Sequence, residues 1–251
     1  LVGSEMCIRD SDSTDHAANL FALGELGNIY SRIMNPTNAV FEDRIAALEG
    51  GVAALGLASG QGASAYAIQN LCSHGDNFVA SSQLYGGTYN QFKNPFSDMG
   101  IEVRFVDPSD PQNFADATDD KTRAYYGEVL PNPSFQVFPL QEVADIGRPL
   151  GIPLIVDNTA APLICRPFDH GASIIVHSAT KYIGGHGTSI GGVIVDGGNF
   201  DWEAHPKRQP KLNEPDPNYD GVVWTEAVKP LGPIAYILKA RTTLLRTWAL
   251  Q

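Results

Sequence analysis

The feature that most constrains this chain is a repeated alternation, in which short apolar runs of strand character give way, through small turn residues, to segments of helical period. In order these are Val52–Ala58 then Ala63–Leu71, Asn77–Ser81 then Gly87–Phe96, Ile101–Val106, Ala124–Val129 then Leu140–Leu150, Ile152–Val156, and Ser173–His177. Strands that keep alternating with helices form a mostly parallel sheet with helices on both faces, so the expected class is α/β. Ile190-Gly-Gly-Val-Ile-Val-Asp196 follows the previous strand after only about a dozen glycine-rich residues. That length is marginal for a crossover helix and the segment is full of glycine, so this last strand is predicted to be antiparallel.

Residues 12–51 are read as an N-terminal arm and helix. Asn38 is placed as the N-cap of a helix ending at Glu49, with Phe41, Ile45 and Leu48 on its buried side and Gly50-Gly51 as its stop. Residues 1–11 show neither helical nor strand period and are expected to be a non-native or disordered leader. Residues 52–251 are expected to form one large domain. Near its end Ile234, Ile237, Leu238, Leu245 and Trp248 share one helical stripe, and no cap follows before Gln251. The expectation is a chain cut inside or just after a helix, with that stripe exposed and prone to aggregation.

Composition removes several function classes. With 43% apolar residues, a chain of 251 can bury a substantial core. Acidic residues outnumber basic ones by 28 to 17, and the basic residues are scattered, which argues against a nucleic-acid partner. No apolar run approaches the ~20 residues of a membrane span, so no membrane partner is expected and the cytoplasm is the expected location. Cys7, Cys72 and Cys165 lie far apart, and neither they nor the six histidines form a ligand cluster. No disulfide framework and no metal site are expected.

The chemistry concentrates in Ser173-Ile-Ile-Val-His-Ser-Ala-Thr-Lys181-Tyr-Ile-Gly-Gly-His-Gly187, where a strand delivers a lysine into a glycine-rich loop. A lysine at the end of a buried strand, beside the hydroxyls of Ser178 and Thr180, suits desolvated imine chemistry better than a solvated surface role. Three readings compete. Lys181 could carry pyridoxal phosphate, with Ser178 and Thr180 on the phosphate. Ser178-Ala-Thr-Lys181 also fits the S-x-x-K pattern of serine acyl transfer, but the S-D-N and K-T-G elements that accompany it do not occur in the chain. Gly185-His-Gly187 with Gly191 superficially fits a dinucleotide fingerprint, but a strand follows where that fingerprint requires a helix.

Ligands of open α/β sheets bind beyond the carboxyl ends of the strands, and the residues there form a coherent set. Ser59-Gly-Gln-Gly62 opens a helix, where free amides and the dipole favour an anion such as phosphate. Tyr85-Gly-Gly-Thr88 could lay an aromatic ring against a flat cofactor. Asp157-Asn-Thr159 follows the most hydrophobic strand, and a carboxylate there needs a partner such as a protonated pyridine nitrogen, which keeps the ring an electron sink.

With these motifs in place, the chain resembles the Cys/Met-metabolism family of pyridoxal-phosphate enzymes, of the aspartate-aminotransferase-like fold type I, which includes cystathionine synthases and lyases. The resemblance runs from about Thr14 to Gln251 and rests on Tyr30-Ser-Arg32-Ile-Met-Asn-Pro-Thr-Asn, Ser59-Gly-Gln, Tyr85-Gly-Gly-Thr-Tyr-Asn, Val156-Asp-Asn-Thr and Ser178-Ala-Thr-Lys-Tyr-Ile-Gly-Gly-His-Gly. It implies that Lys181 is the Schiff-base lysine, that Asp157 pairs with the pyridine nitrogen and that Tyr85 stacks on the ring. Ser59, Gly60, Gln61, Thr159, Ser178 and Thr180 would complete the cofactor site, with Asn132 beside the cofactor's phenolic oxygen and the substrate. Tyr30 and Arg32 match residues that reach the phosphate of a neighbouring subunit, implying a homo-oligomer with shared sites, at least a dimer and usually a tetramer.

The reaction implied is γ-replacement, in which O-acetyl-L-homoserine and sulfide give L-homocysteine and acetate. A cystathionine γ-synthase or methionine γ-lyase would use the same residues, and a catalytically silent or small-molecule-binding α/β domain is the alternative from another class. The pattern departs from the family in three places. Pro131 stands where relatives commonly have glycine, residues 1–11 match nothing, and the C-terminal small domain with its carboxylate-binding arginine is expected to lie outside these residues. Turnover is therefore expected to be lacking from these 251 residues alone.

Overall fold

The structure, a computed structural model, describes residues 13–21, 27, 31 and 33–248. After helices α1 (Thr14–Phe21) and α2 (Pro36–Glu49), the alternation appears as β1 (Ala53–Leu57), α3 (Gly60–Gln69), β2 (Asn77–Ser81), α4 (Gly86–Lys93), β3 (Glu102–Val106), β4 (Thr122–Glu128), α5 (Leu140–Gly147), β5 (Leu154–Asp157), β6 (Ile174–Ser178) and β7 (Gly192–Asp196). The seven strands form one sheet in the order β1-β7-β6-β5-β4-β2-β3. β3, β2, β4, β5 and β6 are mutually parallel, whereas β7 runs antiparallel to both its neighbours, as expected from the short glycine-rich connection.

Both faces of the sheet are covered, which explains why the central strands are apolar on both sides rather than alternating. On one face Ala63, Tyr66 and Ala67 of α3 pack with Phe78, Phe92, Tyr126, Ile155, Ile174 and Val176. On the other, Val143 and Ala144 of α5 cover Val79, Tyr125, Leu154 and Val156, while Ile45 and Ala46 of α2 cover Ala54, Ile175, Val193 and Val195.

Two expectations are corrected. Helix α2 begins at Pro36, not after Asn38. The Asn35 side chain accepts the Thr37 N–H at 2.8 Å, and Pro36 takes the first helical position, where its missing N–H costs nothing. Leu48 is 43% exposed, because the covered face carries Glu42, Ile45, Ala46 and Glu49 instead, and Gly50 ends the helix in the left-handed conformation as expected. The C-terminal stripe is not exposed either. Helix α6 (Ala235–Lys239) continues through a π-helical turn at Ala240–Leu245. Ile237, Leu238 and Leu245 are buried in the same core as α3, with Ile234 packed against it; the Trp248 side chain lies outside the described residues. The Thr242 and Thr243 hydroxyls donate to the carbonyls of Leu238 and Lys239 at 2.8 and 2.7 Å, back-bonding that accompanies the altered helical pitch.

Asp196 ties this last helix to the sheet. Its carboxyl accepts the N–H groups of Gly198 (3.0 Å) and Ile237 (3.3 Å) while only 1% exposed. Burial pushes its pKa up to about 7, against the lowering effect of those two hydrogen bonds. Because the folded acid keeps a proton that the unfolded acid has lost, folding stability is fully present below about pH 4 and declines as pH rises toward about 7. Asp196→Asn is expected to remove about 3 kcal/mol of that decline between pH 4.5 and 7.5. Denaturant unfolding at the two pH values checks this; an unchanged slope in the variant contradicts it.

Candidate functional site

Sheet register decides which side chains meet. Glu128 pairs with Asp157, and Asp157 with Val176, across adjacent parallel strands, so these residues project from the same face as Tyr126, Ile155 and Ile174. At the carboxyl ends of β4, β5 and β6 that face is no longer covered, and Glu128, Asp157 and Ser178 line a cavity of about 880 Å³. Ser59, Gly60, Gln61, Tyr85, Asn132, Thr159, Thr180 and Lys181 line it as well. Every candidate residue that falls among the described ones is thus at one cavity; Tyr30 and Arg32 lie outside the described residues.

One end of the cavity is shaped for an anion. Ser59 caps α3, its hydroxyl accepting the Gly62 N–H at 3.0 Å, and the first intrahelical donor is Ala63, bonded to Ser59 O at 3.0 Å. The Gly60 and Gln61 amides precede that ladder at the positive end of the helix dipole. Close backbone approach makes the cradle. A Cβ on Gly60 would stand 2.5 Å from Ser178 Cβ, and one on Gly192 would stand well inside contact distance of Ser59 O. The Ser178 N–H donates to Thr159 Oγ1 at 2.7 Å, which fixes the end of β6 against the loop after β5. Gln61 is aimed by Thr88, its Nε2 donating to Thr88 Oγ1 at 3.0 Å. The Thr180 hydroxyl donates to Gly191 O (3.2 Å) and accepts the Gly191 N–H (3.1 Å), so it closes the loop and would have to turn to serve a ligand.

The other end is acidic and aromatic. Asp157 Oδ1 accepts the Thr159 N–H at 2.9 Å, yet burial pushes its pKa up, against hydrogen bonding from Thr159 and the nearby His177. A cationic group at the cavity edge would restore its charged form. Tyr85 is half-exposed on the wall, its ring lying over Gly87, where an added Cβ would come within 2.5 Å of it. Together these residues can take a flat, phosphorylated, cationic ring and offer it an amine.

Lys181 requires a correction. It is not desolvated at a strand end: β6 closes at Ser178, and Lys181 sits exposed in the following turn, at the mouth of the cavity. The turn is built locally. The Lys181 N–H donates to Ser178 O (3.3 Å) and the Gly185 N–H to Lys181 O (2.8 Å), while Gly185 takes a positive φ of 72°. That glycine lets the turn close just after the lysine, through its N–H on Lys181 O.

Sequence reasoning missed Glu128, Thr88 and Tyr182, all of which line the cavity. Glu128 was findable by the argument used for Asp157, an acid closing a buried strand, Thr122–Glu128. Placing the strand's end one residue late, at Val129, hid it. Among the described residues no cluster could hold a metal ion, and no helix is long and apolar enough to cross a membrane.

A sequence model described as Cys/Met metabolism PLP-dependent enzyme matches residues 8–224, so residues 8–11 of the expected leader fall within the match. The O-acetyl-L-homoserine sulfhydrylase of Leptospira meyeri is 52% identical over 239 residues, covering 93% of this chain and 54% of the relative. The homocysteine/cysteine synthase of Saccharomyces cerevisiae is 48% identical over 237 residues, covering 94% and 53%. The chain therefore spans about half the length of the curated relatives it matches. Among solved structures, a Campylobacter jejuni chain assigned as an O-acetylhomoserine (thiol)-lyase, with N'-pyridoxyl-lysine-5'-monophosphate, superposes with a TM-score of 0.83. It is 34% identical, over 96% of this chain and 64% of its own.

Proposed function

The chain belongs to the Cys/Met metabolism family of PLP-dependent enzymes, and from that premise we propose that it forms the cofactor-binding part of an O-acetylhomoserine sulfhydrylase. The reaction is replacement of the γ-acetate of O-acetyl-L-homoserine by sulfide, giving L-homocysteine, in the cytoplasm. The observation that carries this reading is the convergence on one cavity of an amine, a carboxyl, an aromatic wall and a helix N-terminus.

The residues present fit pyridoxal phosphate. The Gly60 and Gln61 amides with the Ser59 and Ser178 hydroxyls match a phosphate, and Thr180 joins them if its hydroxyl turns from Gly191. Asp157, buried enough to disfavour its own charge, suits a protonated pyridine nitrogen. Tyr85 offers its ring as the wall of the ring site, and Asn132 and Thr159 border the same space. When bound there, the cofactor supplies the electron sink that lets the substrate lose its Cα proton and then its γ-substituent.

The protein's own residues bind, orient and move protons. Lys181 would hold the cofactor through Nζ, and its amine, when free, would move protons between the substrate's Cα and Cβ. The exposed turn suits this role, since the side chain must swing between two positions. Asp157 would balance a cationic group at the opposing end of the site, and Tyr85 would wall the space a flat ring takes. Tyr30 and Arg32 are proposed to reach the phosphate of a second copy, which makes the working unit at least a dimer.

The test uses a protein of the relatives' length that carries these residues, loaded with pyridoxal phosphate. With O-acetylhomoserine and sulfide it is expected to release homocysteine and acetate in equal amounts. Cystathionine from added cysteine at a higher rate, or methanethiol from methionine, points to a neighbouring activity of the family. No turnover of any of these by the loaded protein contradicts the proposal.

A further inference from the structure

One carboxyl group in the cavity has no part in the scheme above. Glu128 closes β4 directly beside Asp157 on β5, the two being partners in the parallel register, so both side chains leave the sheet on the same face. Glu128 is 6% exposed, and its Oε1 accepts the Tyr85 N–H at 2.7 Å. That N–H stands at the start of α4, where the tyrosine has no side-chain cap of its own.

We propose that Glu128 is a positioning residue that sits in the site as a neutral acid, anchoring the Tyr85 wall with one carboxyl oxygen and holding the proton of a Glu128–Asp157 carboxyl pair. The inference rests on the reading of the cavity as a pyridoxal-phosphate site. A buried carboxyl and a half-buried one, paired in register on the same face, cannot both ionise without strong mutual repulsion, so one keeps a proton. The geometry assigns the proton to Glu128. Asp157 has the Thr159 N–H and the nearby His177 to favour its anion, and it is the group placed for a cationic ring nitrogen. Burial and the Asp157 charge both push the Glu128 pKa up, outweighing the Tyr85 N–H that favours its anion. The other titratable groups facing it are Tyr126 on its own strand, whose buried phenol stays neutral, and Lys181 and Tyr182 in the same cavity. A neutral Glu128 leaves Asp157 as the anion available to the ring, while its second oxygen can still donate the shared proton.

The proposal predicts that charge at position 128 is dispensable and that the acceptor is not. Glu128→Gln keeps an oxygen for the Tyr85 N–H and is expected to hold pyridoxal phosphate within about threefold of the unchanged protein, with the same cofactor absorbance. Glu128→Leu removes the acceptor and is expected to weaken binding about tenfold or more and to shift that absorbance. In the cofactor-free protein, infrared difference spectra across pH 5 to 9 should show, beside the Asp196 carboxyl, a second protonated carboxyl at neutral pH, and Glu128→Gln should lose that second one alone. Binding weakened tenfold in Glu128→Gln, with the same protonated-carboxyl signal at neutral pH in that variant and the unchanged protein, overturns the neutral form. Equal binding and absorbance in all three proteins overturns the anchoring of Tyr85. If the unchanged protein takes up no pyridoxal phosphate, the cofactor reading fails, and the infrared titration alone decides the protonation of Glu128.

Discussion

Replacing Lys181 with alanine is expected to lower homocysteine formation by roughly 10³-fold or more, while leaving the fold intact. The size follows from two functions lost together, covalent holding of the cofactor and proton transfer, the second alone being worth about 10² to 10⁴ in positioned acid–base catalysis. The fold should survive because the side chain is exposed and the turn around it is held by backbone hydrogen bonds from Lys181, Gly184 and Gly185. Circular dichroism and unfolding should therefore match the unchanged protein, and added primary amines should restore part of the activity by supplying a mobile base. A variant that keeps more than a tenth of the activity would show that this amine is not the reactive group.

The second large effect is at Asp157. Asp157→Asn is expected to retain much of the cofactor and to lose about a hundredfold or more in turnover. The phosphate end of the cavity is untouched by this change, so most of the binding remains. What the proposed role would lose is the negative charge facing the ring nitrogen, and electrostatic stabilisation of this kind is worth about 3 kcal/mol or more in an enclosed site. The pH behaviour carries a sign. Burial pushes the Asp157 pKa up, so the cofactor-free carboxyl takes on a proton more readily than an exposed one. A cationic ring nitrogen reverses that shift, and cofactor binding should release a proton from the carboxyl pair in weakly acidic buffer. In Asp157→Asn that release should be reduced, as measured by calorimetry in buffers of different ionisation heat. Full turnover in the variant, with cofactor bound, would remove the electron-sink argument.

The sheet was legible because its signal is strong: strands such as Asn77–Ser81 and Leu154–Asp157 carry unbroken apolar runs, Phe78-Val-Ala80 and Leu154-Ile-Val156, and parallel strands buried on both faces read that way. The start of α2 was misread because Asn38 and Asn35 are both good caps, and only the proline at position 36 distinguishes them. The C-terminal stripe could be assigned to a helix from its period. Its burial depended on partners far away in the chain, such as Tyr66, Phe78 and Ile194, which periodicity cannot supply. At the site, the strand-end rule located Asp157 and Tyr85, because ligands of such sheets gather where strands stop. It missed Glu128 through a boundary error of one residue, and it misjudged the setting of Lys181, since β6 closes at Ser178, three residues earlier.

The central claim is that Lys181 holds pyridoxal phosphate in this cavity. The direct measurement is to load the protein with the cofactor, reduce it with borohydride, digest it and find the modified lysine by mass spectrometry. The account predicts stoichiometric pyridoxyl label on Lys181. Label on Lys93, Lys121 or another lysine, with Lys181 unmodified, would contradict it.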